Sequence, residues 1–216
     1  MNNSDIIIRK FKNEDRKAVK EICLETSFLE EPRGFFLDDD EILSNLLYLY
    51  YTDYVPESCF VAVHDGKVIG YLIGSKNVKS MDIKFNLKVF PCIILRIIYR
   101  GLLFRKHFLI FIFNVFKGFF NGDFSFPDFC ADYPATFHVN IDAGYRGLGV
   151  GSRLIENYLN YLKENKTKGL HFGTMSEEAK EFFLKSGFRL LFETETIYLR
   201  YYFKRKLPYY IFGKKL

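Results

Sequence analysis

The residues best equipped for chemistry lie between His138 and Arg153. The run Tyr145-Arg146-Gly147-Leu148-Gly149-Val150-Gly151-Ser152-Arg153 places glycines at alternate positions. Glycine lets a backbone turn sharply and bring its N–H groups close to a ligand. A helix expected from Ser152 adds unpaired N–H groups and the positive end of a helix dipole. Together these suit a pyrophosphate, and Arg146 and Arg153 are placed to add charge. Just upstream, Thr136-Phe137-His138-Val139-Asn140-Ile141 reads as a strand. Its period of two puts Phe137, Val139 and Ile141 on one face and Thr136, His138 and Asn140 on the other. Polar groups on a strand that should be central need partners or a task. His138, with an ordinary pKa of about 6.5, is a candidate base, directly or through water. Asn140 is a candidate to orient an acceptor or a water, and Asp142 reads as a loop residue.

Spacing discriminates among phosphate ligands. A Walker loop needs Lys followed by Ser or Thr after its last glycine, whereas Gly151 is followed by Ser152 and Arg153. A dinucleotide fold needs Gly-x-Gly-x-x-Gly after the first strand of a βαβ unit, whereas these glycines are spaced differently and come late in the chain. What remains is Arg-x-x-Gly-x-Gly over Arg146, Gly147, Leu148, Gly149, Val150 and Gly151. The bland alternative is a turn that only caps a helix.

The elements that must position this run can be read around it. Residues 6–11 predict a first strand, and Asn13-Glu14-Asp15 opens a helix with Val19, Ile22, Cys23 and Thr26 at helical spacing. A second helix follows Asp38-Asp39-Asp40, acids that suit its positive end. Residues 59–63 and 68–73 form a hairpin across His64-Asp65-Gly66-Lys67. Pro91 predicts the first turn of a helix reaching about residue 104, and a second helix spans about 106–120. After the glycine run come a helix from Ser152 to about Asn165, a strand over 170–174 and a helix over 176–185 closed by Gly187. Strands over 188–193 and 196–204 complete a mixed α/β single domain spanning residues 1–216.

Bulk properties narrow the class. At 216 residues, 49% apolar and 26% charged, the chain can bury a real core. The N-terminus has no basic segment leading into an apolar one, so no secretory signal is expected and the expected location is cytoplasmic. Cys23, Cys59, Cys92 and Cys130 lack paired spacing and read as reduced thiols. They form no metal-ligand pattern with His64, His107, His138 and His171, so no metal is expected.

The Arg146–Gly151 pattern resembles the coenzyme A loop of the GNAT (Gcn5-related N-acetyltransferase) superfamily. The resemblance extends along nearly the whole chain: residues 6–26 look like the first strand and helix, residues 59–74 like the second and third strands. Ser176-Glu177-Glu178-Ala179, Phe182-Phe183 and Gly187-Phe188 are similar to the later block flanking the pantetheine arm. Residues 133–141 are similar to bacterial relatives of the acetyltransferase-like domain of O-GlcNAcase. The resemblance implies a mostly antiparallel sheet with splayed central strands, helices on both faces and a helical insert between strands 3 and 4. It implies acetyl-CoA as cofactor, with Val139 and Ile141 as main-chain contacts, the loop Arg146 to Ser152 on the pyrophosphate, and Ser176, Ala179 and Phe183 near the pantetheine. It also implies direct attack of a primary amine on the thioester in a ternary complex, the acceptor being a small amine, an amino sugar or a protein amine. One departure stands out: Phe183 occupies a position where many family members have a Tyr thought to protonate the leaving thiolate, and Ser176 stands for their Asn. An acyl-CoA-binding module with weak or no turnover is the alternative reading.

The insert, about 78–132, is unusual. Residues 83–122 hold Lys84, Lys88, Arg96, Arg100, Arg105, Lys106 and Lys117 and no acid, so the rest of the chain carries a net −2. Its longest stretch free of Asp, Glu, Lys, Arg and His is 108–116, far short of the about 20 residues of a membrane span. The readings are helices that cover the sheet with their cations in water, attachment to an anionic membrane surface, or a surface for an acidic acceptor. No specific nucleic-acid motif is present. The sequence leaves room for a homodimer.

Overall fold

The computed structural model describes residues 5–26 and 39–216. The polar residues 1–4 and Asp38 of the expected cap lie outside them. β1 (Ile7–Lys10), β2 (Phe60–His64), β3 (Lys67–Ser75) and β4 (Thr136–Ile141) form one antiparallel sheet in that order. β5 (Gly169–Thr174), β6 (Arg189–Thr196) and β7 (Leu207–Lys215) form a second, ordered β5-β7-β6. The β2–β3 turn uses Asp65 and Gly66 at φ 48° and 74°, the left-handed pair that a two-residue hairpin requires.

Strand alternation distributes two cores. Val61, Tyr71 and Ile73 face α1 (Arg16–Thr26) and meet Val19, Ile22 and Cys23. Phe60, Ala62, Leu72 and Phe137 face the other way, onto Leu154, Ile155 and Tyr158 of α7 (Val150–Glu164). On that same side the aromatic residues of α8 (Glu177–Lys185) complete the layer. The result is an α/β fold with helices on both faces of a mostly antiparallel sheet.

The insert builds a third core. Asp39 caps α2 (Asp40–Ser44), accepting from the N–H groups of Glu41 and Ile42, and a π-turn joins α2 to α3 (Tyr50–Tyr54). Ile42, Leu43 and Tyr50 pack on Val89, Ile93 and Ile97 of the insert. Here the expectations need correction. The first insert helix begins at Asn77, whose side chain caps Ser80, and runs through α4 (Val78–Lys84), a π-turn and α5 (Phe90–Tyr99). Pro91 does lie in the first turn of α5, as expected, but α4 and the widened turn over Phe85–Val89 lead into it without a break, the wide turn sitting where proline's missing N–H and bulky ring would disturb regular bonding. The run ends at Tyr99, with Gly101 left-handed, rather than near residue 104. α6 (Lys106–Asn121) matches its expectation.

The closing strands also differ. β6 continues to Thr196, and the expected strand over 196–204 is instead a bend and the short α9 (Arg200–Phe203). The buried carboxylate of Asp123 accepts the N–H groups of Ile197 and Tyr198, drawing the chain out of the sheet. β7 then returns between β5 and β6.

Candidate functional site

The two sheets touch through one parallel bridge, Ala135 with Leu170. Ala135 N–H donates to the Gly169 carbonyl (3.2 Å) and its carbonyl accepts from His171 N–H (2.9 Å). Among the described residues that bridge is the one pairing between β4 and β5. Alternation then fixes where the remaining main-chain groups aim. Thr136, His138 and Asn140 lie in the ladder with β3, and Asp142 N–H still donates to Ile69. The N–H and C=O groups of Phe137, Val139 and Ile141 therefore point toward β5, into the opening between the sheets. The rings of Phe137 and Phe172, 4.4 Å apart, fill its apex.

The glycine run sits at the open end. Asp142 Oδ1 accepts from Gly144 N–H, and Tyr145 packs edge-on to His64, which anchors the loop to the end of β2, two strands away from β4. Gly147 and Gly149 have φ of 78° and 75°, where a side chain is strained, and a Cβ on Gly147 would meet nothing within 4 Å. Gly149 is the residue before α7, so the helix starts at Val150, two residues earlier than the spacing suggested. The first N–H groups of α7, those of Val150, Gly151 and Ser152, precede the first i to i−4 bond, Arg153 to Gly149. A Cβ on Gly151 would lie 3.6 Å from Phe182 and 3.9 Å from Ile141. The helix start is thus flanked by β4 on one side and α8 on the other. Leu148 packs against the core from the loop.

α7 is held in this position by close approach. Tyr158 is buried, its hydroxyl donates to the Thr136 carbonyl (2.8 Å), and its ring lies so close to Gly74 that a Cβ there would come within 2.4 Å. The two arginines flanking the glycines separate in role. Arg153 donates to the Ile6 carbonyl (2.7 Å), anchoring α7 to the start of the chain. Arg146 is exposed beside the loop, with Nε 3.4 Å from the Ile141 carbonyl.

On the opposite face of β4, Asn140 Nδ2 donates to Tyr71 Oη (2.9 Å) and lies 3.0 Å from His138 Nε2. With the amide placed this way, Nε2 accepts and the histidine proton sits on Nδ1. Burial pushes the His138 pKa down to about 4, and no acid counters it. The ordinary value expected from the sequence is therefore corrected: this imidazole is neutral throughout the physiological range. Tyr71, directly opposite Asn140 in the β3–β4 register, was not singled out by sequence reasoning. The cross-strand partner of a polar strand residue is the signal that finds it, once register is known.

α8 supplies the other wall. Ser176 is its N-cap, its Oγ accepting from Ala179 N–H (3.2 Å), and Ala179 packs on the core. Phe183 is buried, with ring centroids 4.4 Å from Phe172 and 5.7 Å from Phe188. Its ring is a packing element of the wall, and Phe182 is the aromatic nearer the helix start.

No family model matches the sequence, and no curated protein matches it. Solved structures do share the fold. The protein named SsHAT has 20% identity and a TM-score of 0.73, covering 98% of each chain. A GCN5-related N-acetyltransferase from Kribbella flavida has 14% identity and a TM-score of 0.61, with all of both chains covered. A polyamine N-acetyltransferase of Drosophila melanogaster, which catalyses the formation of N-acetylagmatine, has 15% identity and a TM-score of 0.59 over 98% of this chain and 100% of its own. At such identities the likeness is one of fold, and the fold is that of the GNAT N-acetyltransferases.

Proposed function

We propose that this chain is an acetyl-CoA-dependent N-acetyltransferase that moves an acetyl group to a primary amine by direct attack in a ternary complex. The observation that carries the proposal is the parting of β4 from β5 beyond Ala135, with a glycine loop and the start of α7 at the open end. An extended pantetheine arm suits the strand-like groups of Val139 and Ile141, which face the opening without a strand partner on that side. The pyrophosphate suits the loop of Arg146, Gly147, Leu148 and Gly149 and the N–H groups of Val150, Gly151 and Ser152. Ser176, Ala179 and Phe183 shape the α8 wall. The bound thioester supplies the acetyl group; the amine nitrogen bonds its carbonyl carbon as the carbon–sulfur bond breaks, and one amine proton must leave.

The chain's own contribution to that proton is constrained. His138, at about 4, is too weak a base to deprotonate an ammonium ion of pKa about 10, because the gap corresponds to roughly 8 kcal/mol. The acceptor must therefore arrive as the free amine. His138 can then take a proton only once attack has made the nitrogen acidic, with Asn140 holding the ring and Tyr71 holding Asn140. No tyrosine occupies position 183, so that position supplies no proton to the leaving thiolate, and water can do so.

The proposal includes the narrower likeness of residues 133–141 to bacterial relatives of the acetyltransferase-like domain of O-GlcNAcase, a cytoplasmic setting, and a small amine, amino sugar or protein amine as acceptor. Acetyl-CoA consumption measured against a panel of polyamines, amino sugars and peptide N-termini tests it: the expectation is transfer to at least one class. Tight acetyl-CoA binding without turnover on any amine would overturn catalysis. That outcome would favour the acyl-CoA-binding module, the second reading that Phe183 and the depressed His138 support.

A further inference from the structure

The insert buries one apolar face and exposes another. Val89, Ile93, Ile97, Leu102 and Phe108 point inward to the core shared with α2. Among the described residues, fifteen of the twenty large apolar side chains that are exposed lie within 83–124, so the surplus belongs to this segment rather than to the surface in general. On the first helical run, Ile83, Leu87, Ile94 and Ile98 recur at helical spacing on the outer side. On α6, Leu109, Phe113, Phe116 and Phe120 form a second outward stripe. Where the two helices meet, Tyr99 and Phe104 are each 90% exposed.

Charge selects the occupant. Arg96 and Arg100 are not part of the outer face: Arg96 pairs with Glu41 (2.5 Å), and Arg100 with Asp39 and Glu41 (each 3.4 Å), clamping α5 to α2. Lys84, Lys106 and Lys117 are exposed on the outer side, beside the apolar stripes. No acid occurs from Ile83 to Gly122. Asp82 of α4, one residue before that stretch, is the one acid of α4 to α6, so two copies meeting face to face through a twofold axis would set three lysines of each copy against one another with a single exposed acid per copy to pair them. An anionic lipid surface offers both what the stripes need and what the lysines need, with long lysine stems lying along the apolar face and their ammonium groups at the headgroups. No helix of the described residues is long and apolar enough to cross a bilayer, so the geometry is that of a surface contact.

We propose that the outer face of the insert, α4 to α6, docks this protein on an anionic membrane surface, with Tyr99, Phe104 and the α6 aromatics entering the headgroup layer. The proposal is independent of the acetyl-transfer reading. The test is co-sedimentation of the full chain with phosphatidylcholine vesicles, with and without about 30 mol% phosphatidylserine, at low and high salt. The expected result is binding that falls about tenfold when the anionic lipid is removed. The same loss, about tenfold, is expected in the triple variant Phe113→Gln, Phe116→Gln, Phe120→Gln. The variant Lys84→Gln, Lys106→Gln, Lys117→Gln should weaken binding and flatten its salt dependence. These positions are exposed, and circular dichroism checks that each variant is folded. Absence of binding at every composition would overturn the proposal, as would equal binding by both variants and the wild type. So would a wild-type dimer that the phenylalanine variant dissolves without any vesicle binding, which would make the face a subunit contact. Binding lost only in the lysine variant and competed by an oligonucleotide would overturn it in favour of nucleic acid.

Discussion

The half of the molecule around β4 and α7 and the half formed by the insert are both helix-rich and aromatic, yet they spend their apolar residues differently. Around β4, the inward apolar residues have partners: Leu154 and Tyr158 on the sheet, Phe183 among Phe172, Phe188 and Phe212. What lacks a strand partner there is polar main chain, the N–H and C=O groups of Val139 and Ile141, with the Ile141 carbonyl met by the exposed Arg146 side chain. In the insert the main chain is closed into helices and what is left open is apolar side chain. Unpaired main chain suits a ligand that can hydrogen-bond like a strand; unpaired apolar surface suits a partner that only needs to exclude water. On the two proposals made above, the difference would separate a site for chemistry from a site for attachment within one chain.

The largest test of that contrast concerns His138. Its folded pKa of about 4 lies below its ordinary value, so the unfolded chain binds more protons between those values. Stability attributable to neutral His138 is fully present above pH about 6.5 and is lost as pH falls toward 4, by about 3 kcal/mol from the pKa difference. Denaturant titrations across that window should show this slope in the wild type and lose it in His138→Gln. An unchanged slope would mean the ring is charged or solvated, and the contrast between the halves would fail at its most polar point.

Next comes the joint between the halves. Asp123 is buried and accepts from Ile197, Tyr198 and Asn121. Asp123→Ala leaves two partly buried N–H groups without that acceptor and should lower stability by about 1–3 kcal/mol. If the insert is a separate attachment unit, chemical denaturation should still show a cofactor-binding core; fully coincident loss would show that the halves stand or fall together.

A matched pair of glycines sharpens the comparison further. Gly147 and Gly122 have φ of 78° and 85°, and a Cβ at either meets nothing within 4 Å. Gly147→Ala and Gly122→Ala should therefore cost the same, about 1 kcal/mol of stability. Only Gly147→Ala should also weaken acetyl-CoA binding, by about tenfold or more, because the proposed cofactor site brings the ligand to the backbone only there. Calorimetry on both variants checks this, and equal affinities would break the assignment of the loop. The smallest effect is expected at Arg96. Arg96→Ala removes a partly exposed pair with Glu41 and should cost about 0.5 kcal/mol in thermal unfolding, with no change in turnover.

Much of the β4–α7 half was legible in the sequence because its signals are local. Gly147 and Gly149 are required by their own φ angles, and the alternation of residues 136–141 needs no partner to be seen. Gly187 likewise ends α8 with φ of 76°. The errors fell where a distant group decides a local conformation. Pro91 alone reads as a helix start, and nothing nearby in the sequence announces that helix from Asn77 continues through it by a widened turn. Residues 196–204 have strand composition, but a carboxylate more than seventy positions away takes their N–H groups. Arg96 and Arg100 looked like solvated cations because their acids lie on α2.

By itself, the sequence determined the glycine loop, the strand before it and the helix after it, since turn chemistry and side-chain periodicity act over a few residues. It also determined that the insert is basic and too interrupted to span a bilayer. Only the tertiary structure decided that β4 and β5 part after one bridge, that His138 is neutral beside Asn140 and Tyr71, and that Phe183 faces the core. It alone decided which insert residues are covered. Burial, register and desolvation depend on what the rest of the chain brings alongside, and that is set by packing across the whole fold rather than by any short run of residues.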